Sequence, residues 1–153
     1  MNTTQELNKA ADNIRILSAS MVEKANSGHP GGSMGGADFI NVLYSEFLEY
    51  DPKNPNWESR DRFFLDPGHM SPMLYSVLTL ANKFSLDDLK QFRQWESITP
   101  GHPEKDVARG IENTSGPLGQ GHTYAVGAAI AAKFLKNRFG EIMNQTIYTY
   151  ISD

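Results

Sequence analysis

Apolar residues recur at helical spacing through the first part of the chain, with polar residues between them. This pattern predicts an amphipathic helix whose apolar positions are Leu7, Ala11, Ile14, Leu17 and Met21. Thr3 or Thr4 is expected to cap its start, because a hydroxyl can accept from the free N–H groups of the first turn. Gly28 is expected to end it near Ser27, as a glycine just after a helix commonly does.

Four later segments also predict helices, over residues 37–49, 71–81, 85–94 and 119–137, and the Gly-rich segment 28–36 before them is predicted to be a loop. The helix over 119–137 is rich in alanine and glycine on one side, which favours close packing against a neighbour. Aromatic and methionine residues at helical spacing are expected in the core: Phe39, Phe47, Tyr75, Met34 and Met73.

Two short apolar runs predict β-strands, Arg62–Leu65 and Gln145–Ile151. Helices separate them, so we predict an α/β fold with a parallel sheet flanked by helices, in which ligands bind at the carboxyl ends of the strands. His69 and Asp153 follow those ends. A stable sheet normally needs three or more strands, so the fold is expected to be incomplete in this chain.

Composition narrows the class of protein. The 153 residues are 39% hydrophobic and 21% charged, as in soluble domains, and the formal net charge of -4 gives no basis for nucleic-acid binding. There is no cysteine, no secretory signal pattern and no apolar stretch long enough to cross a bilayer. We therefore expect a soluble, cytoplasmic protein. Four charged residues are expected to form a surface run that is solvated or locally paired: Lys53, Arg60, Asp61 and Arg62.

Each of the four histidines follows a glycine. Glycine lets the backbone turn tightly and lets a ligand approach closely, while imidazole suits proton transfer near neutral pH. Lacking a helical i, i+4 pair and cysteine, the histidines do not predict a closed zinc site. His29, His69 and His102 together favour an active site that handles protons or polar oxygens.

Two further features each keep two interpretations. Asp153 at the end of a strand is either a ligand for a hard cation such as Mg²⁺ or a solvated residue. The segment Ser115–Gly121, before the last predicted helix, is either an anion site made of backbone N–H groups or a tight loop-to-helix turn.

Four motifs resemble, in order and spacing, the N-terminal part of transketolases: KANSGHPG at 24–31, DRFFL at 61–65 with Gly68-His69, TPGHPE at 99–104, and GPLGQG at 116–121. The closing Ile151-Ser-Asp153 resembles the start of the Gly-Asp-Gly metal segment of thiamine-diphosphate enzymes, with Ser152 in place of the first glycine. The resemblance therefore implies that residues 1–153 are the N-terminal portion of the pyrophosphate-binding domain, cut at the start of the metal motif.

The resemblance also implies thiamine diphosphate and a divalent cation, usually Mg²⁺, at a dimer interface. His69 and the turn Gly116, Pro117 and Leu118 would contact the cofactor, and Asp153 would be the first metal ligand. His29 would stabilise or relay protons to substrate oxygens, and His102 would bind sugar hydroxyls. Sugar phosphates would be the substrates, and the remaining domains or a C-terminal subunit would complete the enzyme, so the chain alone is expected to be inactive.

The sequence departs from the family pattern at a few positions. Met70 follows the histidine where a small residue is common, Asp66-Pro67 replaces a Ser-Asn pair, and His122 stands where an apolar residue is usual and is expected to be structural or incidental. Two alternatives stay open. One is another thiamine-diphosphate enzyme, such as a dihydroxyacetone or deoxyxylulose-phosphate synthase. The other is a non-catalytic assembly module of the same fold.

Overall fold

The computed structural model describes residues 2–151, which form two compact units. The first unit comprises the described residues through Leu48 together with His69–Pro103. The second comprises Glu49–Gly68 together with the described residues from Glu104 onward. Each unit therefore combines two separate stretches of the chain.

Helix α1, Thr4–Ala25, opens the first unit and carries its capping signal as predicted. The hydroxyl of Thr3 accepts from the N–H of Glu6, and the carboxylate of Glu6 accepts from the N–H of Thr3 at 2.8 Å. This reciprocal pair satisfies two donors of the first turn. The predicted stop was wrong by two residues: Asn26, at φ 47°, takes the left-handed conformation that ends the helix.

The Gly-rich segment after α1 is helical, which corrects the predicted loop. Helix α2 covers Pro30–Gly35, with Pro30 in the first turn, where its missing N–H costs nothing. Helix α2 packs against α4, and Gly32 on α2 lets the residue directly before α4 approach closely: a Cβ at Gly32 would lie 3.0 Å from the sulfur of Met70. The helix is therefore specified by packing, although its composition is typical of a loop.

Helix α3, Ala37–Val42, follows and continues as a π-helical turn over Leu43–Phe47. Phe39 and Phe47 are exposed, so the expectation that they lie in the core was wrong, as it was for Met34. Ile40 and Leu43 are buried instead.

Helices α4, Ser71–Leu80, and α5, Leu86–Lys90, complete the first unit. Pro72 lies in the first turn of α4, and Met73 and Tyr75 are fully buried, as predicted. Ser85 and Asp88 form the predicted capping box at the start of α5. Helix α4 is the centre of this unit, since α1, α2, α3 and α5 all pack against it.

In the second unit, strands β1, Arg62–Leu65, and β2, Ile147–Tyr150, pair in parallel with Arg62 opposite Ile147 and Leu65 opposite Tyr150. Helix α6, Gln120–Phe139, packs against both strands. The parallel sheet with flanking helices confirms the predicted α/β class.

Gly121 in α6 confirms the close packing expected of that helix: a Cβ there would overlap the Cα of Asp66 and lie 2.8 Å from the carbonyl oxygen of Leu65. The end of β1 and the start of α6 therefore touch through bare backbone.

Two residues of the charged run are buried, which corrects their expected exposure. The carboxylate of Asp61 accepts from the N–H groups of Glu49 at 3.0 Å and Thr146 at 2.6 Å, and Arg60 pairs with Glu112 at 2.7 Å. These interactions fix the residues directly before β1 to three other segments of the second unit.

No helix among residues 2–151 combines the length and the apolar content needed to cross a bilayer.

Candidate active site

Two of the predicted histidines meet in the first unit. His29 lies directly before α2, and His69 lies in a single 3₁₀ turn, Gly68–Met70, directly before α4. Their ring centroids are 5.0 Å apart with an interplanar angle of 64°. Neither ring makes a hydrogen bond to another described residue. Two separate segments of the chain therefore bring together two imidazoles that have no hydrogen bond to another described residue.

His102 belongs to the same unit and acts electrostatically on the ring of His69. Partial burial lowers the pKa of His69, and the nearby His29 and His102 lower it further. Partial burial also lowers the pKa of His102, with Arg93 and His29 as the next contributions. Both rings are consequently neutral near pH 7, when each offers one N–H donor and one nitrogen acceptor.

The glycine before His29 packs against the side chain of Phe92, and the glycine before His102 packs against the next residue, Arg93. Gly28 has φ +130°, and a Cβ there would lie 3.3 Å from Cε1 of Phe92. A Cβ at Gly101 would lie 2.7 Å from Nε of Arg93. Close approach therefore explains why glycine precedes these two histidines, and it connects both loops to the end of α5.

In the second unit, the Gly-rich segment before α6 is bound by a side chain that the sequence did not identify as functional. The carboxylate of Asp66, which is 1% exposed, accepts from the N–H groups of Gly119 at 3.1 Å, Gly121 at 2.7 Å and His122 at 3.3 Å. The chain thus supplies its own anion at the positive end of this helix. An acid directly after a buried strand was the signal available in the sequence.

His122 contacts the same carboxylate. Its Nδ1 lies 3.8 Å from Oδ1 of Asp66 and makes no hydrogen bond to a described residue. Asp66 and His122 are both departures from the resembling family, and the structure brings them together. The expectation that His122 is structural or incidental stays a prediction.

The turn formed by Gly116, Pro117 and Leu118 keeps an open face. A Cβ at Gly116 would meet nothing within 4 Å, and the side chain of Leu118 is 57% exposed. Asp66 uses N–H groups that follow this turn, leaving the turn itself accessible. Its contact with a cofactor stays a prediction.

The predicted metal ligand, Asp153, lies outside the described residues. Within residues 2–151, no group of three or more His, Asp or Glu side chains is arranged to hold a metal ion.

Comparison with known proteins identifies similar domains along the whole chain. The sequence model of the family described as "Transketolase, thiamine diphosphate binding domain" matches residues 6–153. Transketolase 1 of Pasteurella multocida is 51% identical over 158 aligned positions, covering 100% of this chain and 23% of that protein. The chloroplastic transketolase of Zea mays is 50% identical, covering 97% of this chain and 23% of that protein.

A solved structure gives the same result. The crystal structure of transketolase from Campylobacter jejuni matches with a TM-score of 0.93 and 50% identity, over 100% of this chain and 24% of that one. The chain thus spans about a quarter of the length of the relatives that it matches.

Proposed function

The chain belongs to the family of transketolase thiamine diphosphate binding domains, and on that basis we propose that it forms part of a transketolase. Such an enzyme transfers a two-carbon ketol unit from a ketose phosphate to an aldose phosphate. The proposal includes sugar phosphates as substrates, a role in carbohydrate metabolism through the pentose phosphate pathway, the cytoplasm as location, and a homo-oligomer completed by the remaining domains.

Thiamine diphosphate and a divalent cation such as Mg²⁺ are the proposed cofactors. Thiamine diphosphate supplies, when bound, the electron-accepting chemistry that breaks a carbon–carbon bond next to a carbonyl. Each unit by itself offers residues that suit part of such a group. In the second unit, Gly116 has open space beside it and Leu118 presents an exposed apolar side chain. In the first unit, the lowered pKa of His69 favours the neutral imidazole. Asp153 is the proposed first ligand of the cation.

Each predicted side chain has a proposed role. His69 binds the cofactor, as do Gly116, Pro117 and Leu118. His29 stabilises substrate oxygens and moves protons to and from them, and His102 binds sugar hydroxyls. Imidazole suits these roles because, in its neutral form, it can donate at one nitrogen while it accepts at the other.

The observation that carries the proposal is the meeting of His29 and His69 at 5.0 Å, with both rings free of hydrogen bonds to other described residues. His29 is exposed and His69 is half-buried, so solvent reaches both rings. Two adjacent imidazoles that bond to no described residue are available to a ligand.

A chimera tests the proposal, in which this chain replaces the matching part of the Campylobacter jejuni transketolase. Ketol transfer is measured with thiamine diphosphate and Mg²⁺, and the products are identified. We expect two-carbon transfer between sugar phosphates by the chimera and none by the chain alone. A different product, such as dihydroxyacetone or deoxyxylulose phosphate, would indicate the alternative enzymes. A folded chimera without turnover would favour an assembly module.

A further inference from the structure

Arg93 has an unusual backbone conformation for its residue type. It follows α5 with φ +61°, in the left-handed region that side chains with a Cβ rarely adopt. Its N–H donates to the carbonyl of Thr99 at 3.1 Å. The surrounding structure therefore fixes this residue in a conformation that its own backbone disfavours.

The guanidinium of Arg93 connects two loops. Its Nη1 donates to Oγ of Ser27 at 2.9 Å, two residues before His29. Its Nε is buried against Gly101, one residue before His102, and makes no hydrogen bond to a described residue. One side chain thus contacts both segments that carry the histidines.

The neighbouring Phe92 contacts the segment that carries His29 and also the side chain of Arg93. Its side chain is 1% exposed, its ring contacts the position of Gly28, and the Cζ of Arg93 lies 5.6 Å from the ring centroid. Phe92 is itself buried next to Tyr75, at 6.4 Å between ring centroids. The guanidinium of Arg93 therefore packs against a side chain that the core holds in place.

We propose that Arg93 is a positioning residue that holds the Ser27–His29 and Gly101–His102 segments in a fixed arrangement for ketol transfer. The inference rests on the proposed function for its catalytic meaning. Its physical content, a cationic clasp between two histidine loops, does not depend on that function.

The charge of Arg93 adds an electrostatic consequence. It opposes protonation of His102 and so contributes, after burial, to the lowered pKa of that ring. The other titratable groups that act on this ring are His29 and, through mutual repulsion, His69. Arg93 therefore favours the neutral form of His102, in addition to the effect of burial.

The test uses three variants of the full chain. Arg93→Met removes both the charge and the planar guanidinium, whereas Arg93→Lys keeps the charge but not the planar set of N–H donors. Gly101→Ala leaves Arg93 intact while adding a Cβ 2.7 Å from its Nε. Lys90→Met is the matched control, because Lys90 is an exposed cation of α5 paired with Asp87. Histidine titration and amide hydrogen exchange are followed by NMR.

We expect the pKa of His102 to rise in Arg93→Met and to change less in Arg93→Lys, while Lys90→Met leaves it unchanged. Amide exchange at His29 and His102 should accelerate roughly tenfold in Arg93→Met and Arg93→Lys, as loss of one charge-assisted hydrogen bond implies. Gly101→Ala should accelerate exchange in the same loops, and it keeps the test valid if Arg93→Met does not fold.

Unchanged titration and exchange in Arg93→Lys and Gly101→Ala would overturn the clasp, whatever the chimera does. In the chimera, Arg93→Lys should lower kcat, while the affinity for thiamine diphosphate should differ from that of the unsubstituted chimera by less than about threefold. Inactivity of the unsubstituted chimera would count against the proposed function alone, because the NMR results on the chain stand without it.

Discussion

The two units use the same sequence pattern in opposite ways. In the first, Gly28 and Gly101 bring His29 and His102 close to other residues while leaving the imidazoles without hydrogen bonds to described residues. In the second, the Nδ1 of His122 also bonds to no described residue, but the backbone N–H groups of Gly119, Gly121 and His122 are taken by the carboxylate of Asp66. A Gly-His pair therefore indicates close packing in both units. The units differ in whether the chain itself already supplies hydrogen-bond partners for the nearby polar groups or leaves them available to a ligand.

Removing the internal acid should have the largest effect on stability. Asp66→Ala leaves three N–H groups at the start of α6 without their acceptor, so the free energy of unfolding should fall by about 2–4 kcal/mol. Urea denaturation measures the change. Asp87→Ala is the control, since that carboxylate is exposed and its ion pair is with Lys90 at the surface. Equal effects of the two substitutions would show that Asp66 is not a structural anchor.

Two glycines of the same helix should respond with opposite signs. Gly121→Ala places a Cβ against the backbone of Leu65 and Asp66, and the displacement should cost about 1–3 kcal/mol. Gly127→Ala meets nothing within 4 Å and should stabilise α6 by up to about 1 kcal/mol. Thermal unfolding compares them directly. A loss of stability in both would indicate that close packing extends along the whole helix.

A histidine of the first unit should affect binding more than folding. In the chimera, His69→Ala should weaken the affinity for thiamine diphosphate about tenfold, the equivalent of one hydrogen bond. Its effect on the unfolding midpoint of the chain should be small, because the ring bonds to no described residue. Fluorescence titration gives the affinity. Full affinity together with a large loss of stability would make His69 a packing residue.

The pH dependence of stability is the smallest expected effect. His69 and His102 have lowered pKa values when folded, so the unfolded chain binds more protons and the free energy of unfolding falls as the pH drops below about 6.5. The double substitution His69→Gln, His102→Gln should flatten the curve in that window. An unchanged slope would mean that these rings titrate alike in both states.

The parts of the fold that the sequence predicted are those with local causes. Thr3 with Glu6 and Ser85 with Asp88 cap helices through their immediate neighbours, so the starts of α1 and α5 could be predicted. The helical α2 could not, because its Gly-rich segment is stabilised by packing against α4. Phe47 lies at the end of a π turn, which breaks the regular helical period. Phe39 is exposed on the regular helix α3, where residue type alone does not show which face is covered.

The candidate site divides along the same line. The histidines could be identified from residue type and context alone. Asp66 and Arg93 could not be assigned, because their importance comes from contacts with residues distant in sequence, Asp66 with Gly121 and Arg93 with Ser27. Tertiary contacts decide which polar group is available and which already has a partner.

The most direct test compares two Gly-His pairs, one from each unit, in the chimera. His102→Ala should reduce kcat/KM by at least about a hundredfold, the range of a positioned proton-handling group. His122→Ala, which removes a ring beside an acid already bound by backbone N–H groups, should keep kcat/KM within about threefold, less than half a tenfold step in free energy. Equal losses in the two variants, or the larger loss in His122→Ala, would contradict the distinction between the two units.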